Sequence, residues 1–183
     1  MDSVVLLRRM IKETAQVALD VHGDKSSVEL IEPQEPDSKV RIRGIPADAI
    51  VIKMDSFPAP DALFSCDKGE CKRADYAIVA AQGTKKRILY IELKRTKASL
   101  RDVEKQLRGA ECVMEYCRKI AAAFYGGGSL LTGYQPRFVS CGHTSINKRK
   151  TRIERRASRH DRPERFMKVD WPATLEFNHL VGA

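Results

Sequence analysis

The apolar positions of this chain change period along its length, and each change predicts an element. From Val4 to Val21 the period is helical. Leu6, Leu7, Met10, Ile11, Val17 and Ala18 fall on one arc at about 100° per residue, with Thr14 among them. Gly23 stands just past that stretch as a stop. Three short runs of strand character follow: Ser27 to Ile31, Lys39 to Arg43 and Ala49 to Lys53. Pro33, Pro36, Pro46, Pro58 and Pro60 punctuate this region. Arg73 to Ala80 and Arg87 to Lys94 are apolar on both faces, as strands covered on both sides should be. From Leu100 to Phe124 the period is helical again. Leu100, Val103, Leu107, Ala110, Met114, Cys117, Ala121 and Phe124 step by three and four along a core face, and Gly126-Gly127-Gly128 ends it. Arg137 to Cys141 and Phe166 to Val169 read as two further strands. The order predicts one α/β domain over residues 1–183, a central mixed sheet flanked by the Val4 and Leu100 helices.

Composition narrows the partners. A chain of 183 residues that is 43% apolar and 31% charged can bury a sizeable core. Its net charge of +9 suits a polyanion. Residues 148–165 concentrate that charge, with nine basic residues against three acidic ones, so this arm or loop carries +6 and the rest +3. Lys148, Arg149, Lys150, Arg152, Arg155, Arg156 and Arg159 are its candidate phosphate contacts. The alternative is a solvated charge run with no partner. No aromatic residue lies within the segment, which argues against base stacking there. No apolar run reaches the roughly 20 residues that span a bilayer, so no membrane partner is expected. There is no secretory leader pattern at the N-terminus, and five cysteines is an odd number. Both point to reduced thiols in an intracellular setting, cytoplasmic or nucleoid-associated rather than secreted.

The candidate chemistry lies in the hairpin. If Gly83-Thr84 is its two-residue loop, paired positions sum to 167 and Asp75 falls opposite Glu92 on one face. Like charges opposite each other destabilise a sheet, so inside an apolar hairpin they call for a cation. A hard divalent ion, Mg²⁺ or Mn²⁺, is the natural one. Lys94 lies two residues past Glu92 and shares its face. Two carboxylates, a lysine and a metal can orient and deprotonate water while neutralising charge on a phosphate. Gln106 borders the apolar stripe of the long helix, and Glu13 borders that of the first helix.

These residues resemble the PD-(D/E)xK nuclease superfamily, the restriction-endonuclease-like fold. The matching positions are Asp75, Ile91-Glu92-Leu93-Lys94 and Gln106-Leu107, with an element order like that family's αβββαβ core. The likeness covers roughly residues 4–141, most specifically 73–116. It implies that Asp75 and Glu92 bind Mg²⁺, that Lys94 positions the water, that Gln106 supports the site, and that Glu13 is a further ligand. Two departures stand out. The Gln-x-x-x-Tyr motif of the exonuclease branch is absent, because Ala110 follows four residues after Gln106. The literal Pro-Asp pair is Pro60-Asp61, which makes Asp61 a rival first ligand.

The expectation is a metal-dependent nuclease acting on nucleic acid, DNA first. The alternatives are a catalytically inactive nuclease-fold module that binds DNA in a repair, recombination or defence assembly, and a basic RNA-binding or structural protein. Endo- against exonuclease action and oligomeric state stay open, a homodimer included. So does a Cys₃His zinc set of Cys66, Cys71, Cys141 and His143, against a plain turn with two reduced thiols.

Overall fold

A computed structural model describes residues 2–32, 35–94, 99–142, 160–170 and 174–182, with the side chains of 35–38 left out. The chain opens with α1 (Ser3–Met10). It continues through strands β1 (Gln16–Val17), β2 (Asp20–His22), β3 (Lys25–Glu32), β4 (Glu35–Pro46) and β5 (Ile50–Lys53). The hairpin β6 (Tyr76–Gln82) and β7 (Lys85–Lys94) precedes α2 (Leu100–Phe124). After it come β8 (Gln135–Gly142), β9 (Met167–Asp170), β10 (Thr174–Glu176) and the short α3 (Phe177–Leu180).

The strands form two mixed sheets. The larger has the order β1-β5-β6-β7-β8-β9 and the smaller β10-β4-β3-β2. In the larger sheet β5, β6 and β7 run antiparallel in succession, while β8 is parallel to β7. A parallel neighbour needs a long crossover, and α2 supplies it.

Alternation along the strands sorts the larger sheet's two faces. Ile50, Ile52, Ala77, Val79, Ile88, Tyr90 and Phe138 pack with Val4, Leu6 and Leu7 of α1 and Val103, Leu107, Ala110 and Met114 of α2. Val51, Ile78, Ala80, Leu89, Ile91, Leu93, Val139 and Cys141 pack on the smaller sheet, against Val28, Leu30, Val40, Ile42 and Ile45. Each Leu or Ile so buried contributes about 1.5–3 kcal/mol. Two cores therefore share one sheet. This explains why residues 76–80 and 88–93 are apolar on both faces.

The fold departs from expectation in two ways. Both helices do flank the larger sheet, but α1 and α2 share one face, and a second sheet covers the other. The first helix does not reach Val21. It stops at Met10, where Ile11 turns extended (φ −91°, ψ 131°), and the Gln16 side chain donates to the carbonyls of Arg8 and Ile11. That cap satisfies two carbonyls a longer helix would have used. Val17 then joins β1 and Val21 joins β2, where a β-branched side chain fits better.

Of the basic segment, residues 148–159 lie outside the described residues. Its end does not. Phe138 N–H donates to the His160 carbonyl at 3.0 Å, Arg165 pairs with Asp161 at 2.7 Å, and Glu164 pairs with Arg108 of α2. Among the described residues no helix is long and apolar enough to cross a membrane.

Candidate active site

The hairpin register places the two acids. Gln82 pairs with Lys85, and every pair back to Tyr76 and Ile91 keeps the sum of 167. Gly83 takes φ +57°, which the first position of a type II′ turn requires. A two-residue loop closes on a hydrogen-bonded pair, so a ladder continued past 76/91 would make 75/92 a non-hydrogen-bonded position. Asp75 lies one residue beyond the last ladder pair, at a bend. Its Oδ2 accepts the Leu93 N–H at 2.7 Å, and its carbonyl accepts the Met54 N–H at 2.8 Å.

Glu92 and Lys94 follow Ile88 and Tyr90 on the helix side of β7. Behind Glu92, Tyr90 stacks on Phe138 of β8 with ring centroids 4.9 Å apart. Beside it β8 contributes Ser140, and opposite Lys94 it contributes Gly142. A methyl at Gly142 would come within 2.9 Å of the Lys94 carbonyl, so the strand needs a glycine there.

The electrostatics are severe. Asp75 is 8% exposed and Glu92 is 0% exposed. Lys94 Nζ lies 3.0 Å from Glu92 Oε1, yet neither Glu92 oxygen has a hydrogen bond of good geometry. Burial pushes Asp75 up to about 6, helped by the charges of Asp55 and Glu32 and opposed by the Leu93 N–H and Lys94. Burial, then the charge of Asp75, pushes Glu92 up to about 8 against the pull of Lys94. Burial works to lower Lys94, but Glu92, Asp75 and Glu32 outweigh it and raise it, which holds the ammonium charged.

These residues fit a hard divalent cation. Two buried carboxylates act on each other's charge, and Glu92 keeps Oε2 without a hydrogen bond of good geometry among the described residues, a costly state for a buried acid. Among the described residues no three His, Cys, Asp or Glu side chains converge tightly enough to chelate an ion directly. One or two carboxylates with retained waters, the Mg²⁺ habit, is the mode the residues suit.

The other candidates that the sequence suggests separate from this centre or border it. Glu13 is not on α1. It sits exposed on a 3-10 turn, Glu13–Ala15, because the helix ended three residues earlier. Asp61 is exposed in the loop before β6. Gln106 is half-buried on α2 beside Val103 and Ala110, and among the described residues it makes no hydrogen bond to Asp75, Glu92 or Lys94. Lys148, Arg149, Lys150, Arg152, Arg155, Arg156 and Arg159 lie outside the described residues, as does His143.

Cys66 and Cys71 are not reduced thiols. They form a disulfide with Cα atoms 5.3 Å apart, which removes both from any zinc set. Cys141 is buried in the core under the smaller sheet, and burial pushes its thiol up to about 12. Two acids near the centre carry no signal in the sequence: Asp55, on a 3-10 turn after β5, and Glu32, buried at the end of β3. Neither lies in a periodic pattern, so only the tertiary packing brings them near Asp75.

Compared with family models, curated proteins and solved structures, the chain finds no match in any of the three.

Proposed function

We propose that this chain is a metal-dependent nuclease that hydrolyses phosphodiester bonds of DNA, with a centre like that of the PD-(D/E)xK superfamily. The observation that carries the reading is Glu92. It is fully buried beside a second buried acid, with Lys94 Nζ 3.0 Å from its Oε1 and Oε2 without a hydrogen bond of good geometry among the described residues. The element order α1, β5, β6, β7, α2, β8 supports it, as does the strand order β5-β6-β7-β8.

Asp75 and Glu92 would hold Mg²⁺ or Mn²⁺. Such an ion, when bound, neutralises charge on the phosphate and lowers the pKa of water. Asp75 is kept in place by the Leu93 N–H, so its second oxygen is the one left for a ligand. Glu92 must give up the proton its burial favours. Lys94, held charged by three acids, serves as a hydrogen-bond donor that orients the attacking water or a phosphate oxygen, and not as a base. Gln106 reaches the scissile phosphate from α2, and the basic segment grips the backbone away from the cut.

One observation favours the inactive DNA-binding module instead. The Lys94–Glu92 pair offsets the buried charge with no ion at all. The test is cutting: purified protein with Mg²⁺ or Mn²⁺ is incubated with duplex DNA and with RNA, with and without EDTA. Metal-dependent cutting of DNA is expected. DNA binding without cutting of either substrate supports the module.

A further inference from the structure

Asp55 stands on the 3-10 turn Met54–Ser56, and that turn is tied to the candidate centre from two sides. Met54 N–H donates to the Asp75 carbonyl at 2.8 Å, so Asp55 follows directly on a residue bonded to the first acid. The Arg73 guanidinium, two residues before Asp75, donates to the Asp55 carbonyl at 3.5 Å and to the Cys71 carbonyl at 3.3 Å. The turn and the strand entry are thus held together by two hydrogen bonds.

The Asp55 side chain is only partly used. Oδ2 lies 3.8 Å from Lys53 Nζ, a loose contact on a side chain that is 34% exposed, while the Oδ1 atom is buried with no hydrogen-bond partner among the described residues. A buried acceptor left unpaired costs about 1–3 kcal/mol, and such a group asks for a ligand. Glu92 asks the same question, being fully buried with Lys94 on Oε1 and no hydrogen bond of good geometry to Oε2 among the described residues.

We propose that Asp55 is the third acid of the cation site, reaching the ion through one of its retained waters. The inference rests on the nuclease reading of Asp75 and Glu92 and adds a residue that neither the hairpin nor the family resemblance supplies. Direct chelation by three acids does not fit the spacing of the described side chains, and a water bridges such a gap. Mg²⁺ gives up its waters reluctantly, so an acceptor in its outer shell orients one. The site thereby regains the third acid that Glu13, exposed on its own turn, does not provide.

The experiment titrates Mn²⁺ alone into the full chain, by calorimetry and by the Mn²⁺ paramagnetic resonance signal. Wild type is compared with Asp55→Asn and Glu92→Gln, with thermal melts of the metal-free proteins alongside. Asp55→Asn keeps the shape of the side chain, so its metal-free melt stays at or above that of wild type. The expected result is loss of Mn²⁺ binding in Glu92→Gln and affinity about 10- to 100-fold weaker in Asp55→Asn, the usual effect of removing an outer-shell partner. Wild-type affinity in Asp55→Asn, with binding lost in Glu92→Gln, overturns the role of Asp55 and leaves the two-acid centre standing. Wild-type affinity in both variants, or no binding by wild type, overturns the centre itself and the proposal with it.

Discussion

Asp75 reaches across the hairpin to Leu93: its Oδ2 accepts the Leu93 N–H at 2.7 Å, where a continued ladder would have brought the Ala74 carbonyl. One carboxylate oxygen therefore does the work of backbone, while the charge of Asp75 still acts on Glu92. Asp75→Ala leaves that buried N–H unpaired and is expected to destabilise the fold by about 1–3 kcal/mol. Asp75→Asn keeps an acceptor and sheds a charge that burial disfavours, so the metal-free variant should be at least as stable as wild type at pH 7. Urea denaturation of the two variants checks the difference.

The acid pair also sets a pH dependence. Folding raises Asp75 from 3.8 to about 6 and Glu92 from 4.5 to about 8, so between roughly pH 4 and 8 the folded chain binds protons that the unfolded chain has released. Stability of the metal-free protein is thus fullest below that window and falls as pH rises through it, by up to about 1.4 kcal/mol per pH unit for each group. Glu92→Gln should flatten the upper part of the window. Melting temperatures from pH 4 to 9, in the presence of chelator, read this directly.

Metal affinity must run the other way, because the ion competes with those protons. We expect Mn²⁺ binding to strengthen from pH 6 to 8 and to level off above. Calorimetric titrations at three pH values would show it, and a flat profile would argue that the ion binds elsewhere.

The loop that delivers Asp75 lies against α2. A methyl at Gly109 would land on the Lys72 carbonyl, and Lys72 is also tied to Asp102 by a 2.7 Å ion pair. The obstacle is backbone on both sides, so neither can yield cheaply. Gly109→Ala is expected to cost about 1–3 kcal/mol, and to weaken Mn²⁺ binding by shifting the entry to β6. Chemical denaturation and metal titration of the same variant test both effects.

Much of this was legible in sequence where the determinants are local. The Leu100–Phe124 helix has the bounds its periodicity predicts, and the Gly83 turn sets the expected register as far as Tyr76 and Ile91, one residue short of Asp75 and Glu92. The first helix misled because Val17 and Ala18 keep helical spacing after the chain has left the helix. Nothing in the spacing reveals that Gln16 turns back to cap Arg8 and Ile11. The second sheet was hidden for another reason. Runs at 27–31 and 39–43 show their own strand character, but not that they pair with each other and cover the far face of the first sheet. Glu32, at the end of β3, enters only through that packing, and Asp55 through the pairing of β5 with β6.

Binding and cutting should separate. Neutralising Arg152, Arg155, Arg156 and Arg159 is expected to weaken DNA binding and to reduce its salt slope by roughly 0.9 per lost phosphate contact. Single-turnover cutting at saturating protein should largely survive, since the acids lie on the hairpin. Affinity at two salt concentrations distinguishes this from a solvated charge run, which would leave binding unchanged.

The central claim is that Asp75, Glu92 and Lys94 act together on a phosphodiester. Its most direct test is single-turnover cleavage of duplex DNA in Mg²⁺ or Mn²⁺ by wild type, Asp75→Asn, Glu92→Gln and Lys94→Ala, each shown to be folded by its melting curve. The account predicts that wild type cuts and that each variant loses on the order of 10²-fold or more. Folded variants that all cut like wild type would contradict it, as would a wild-type chain that binds the ion and leaves the DNA intact.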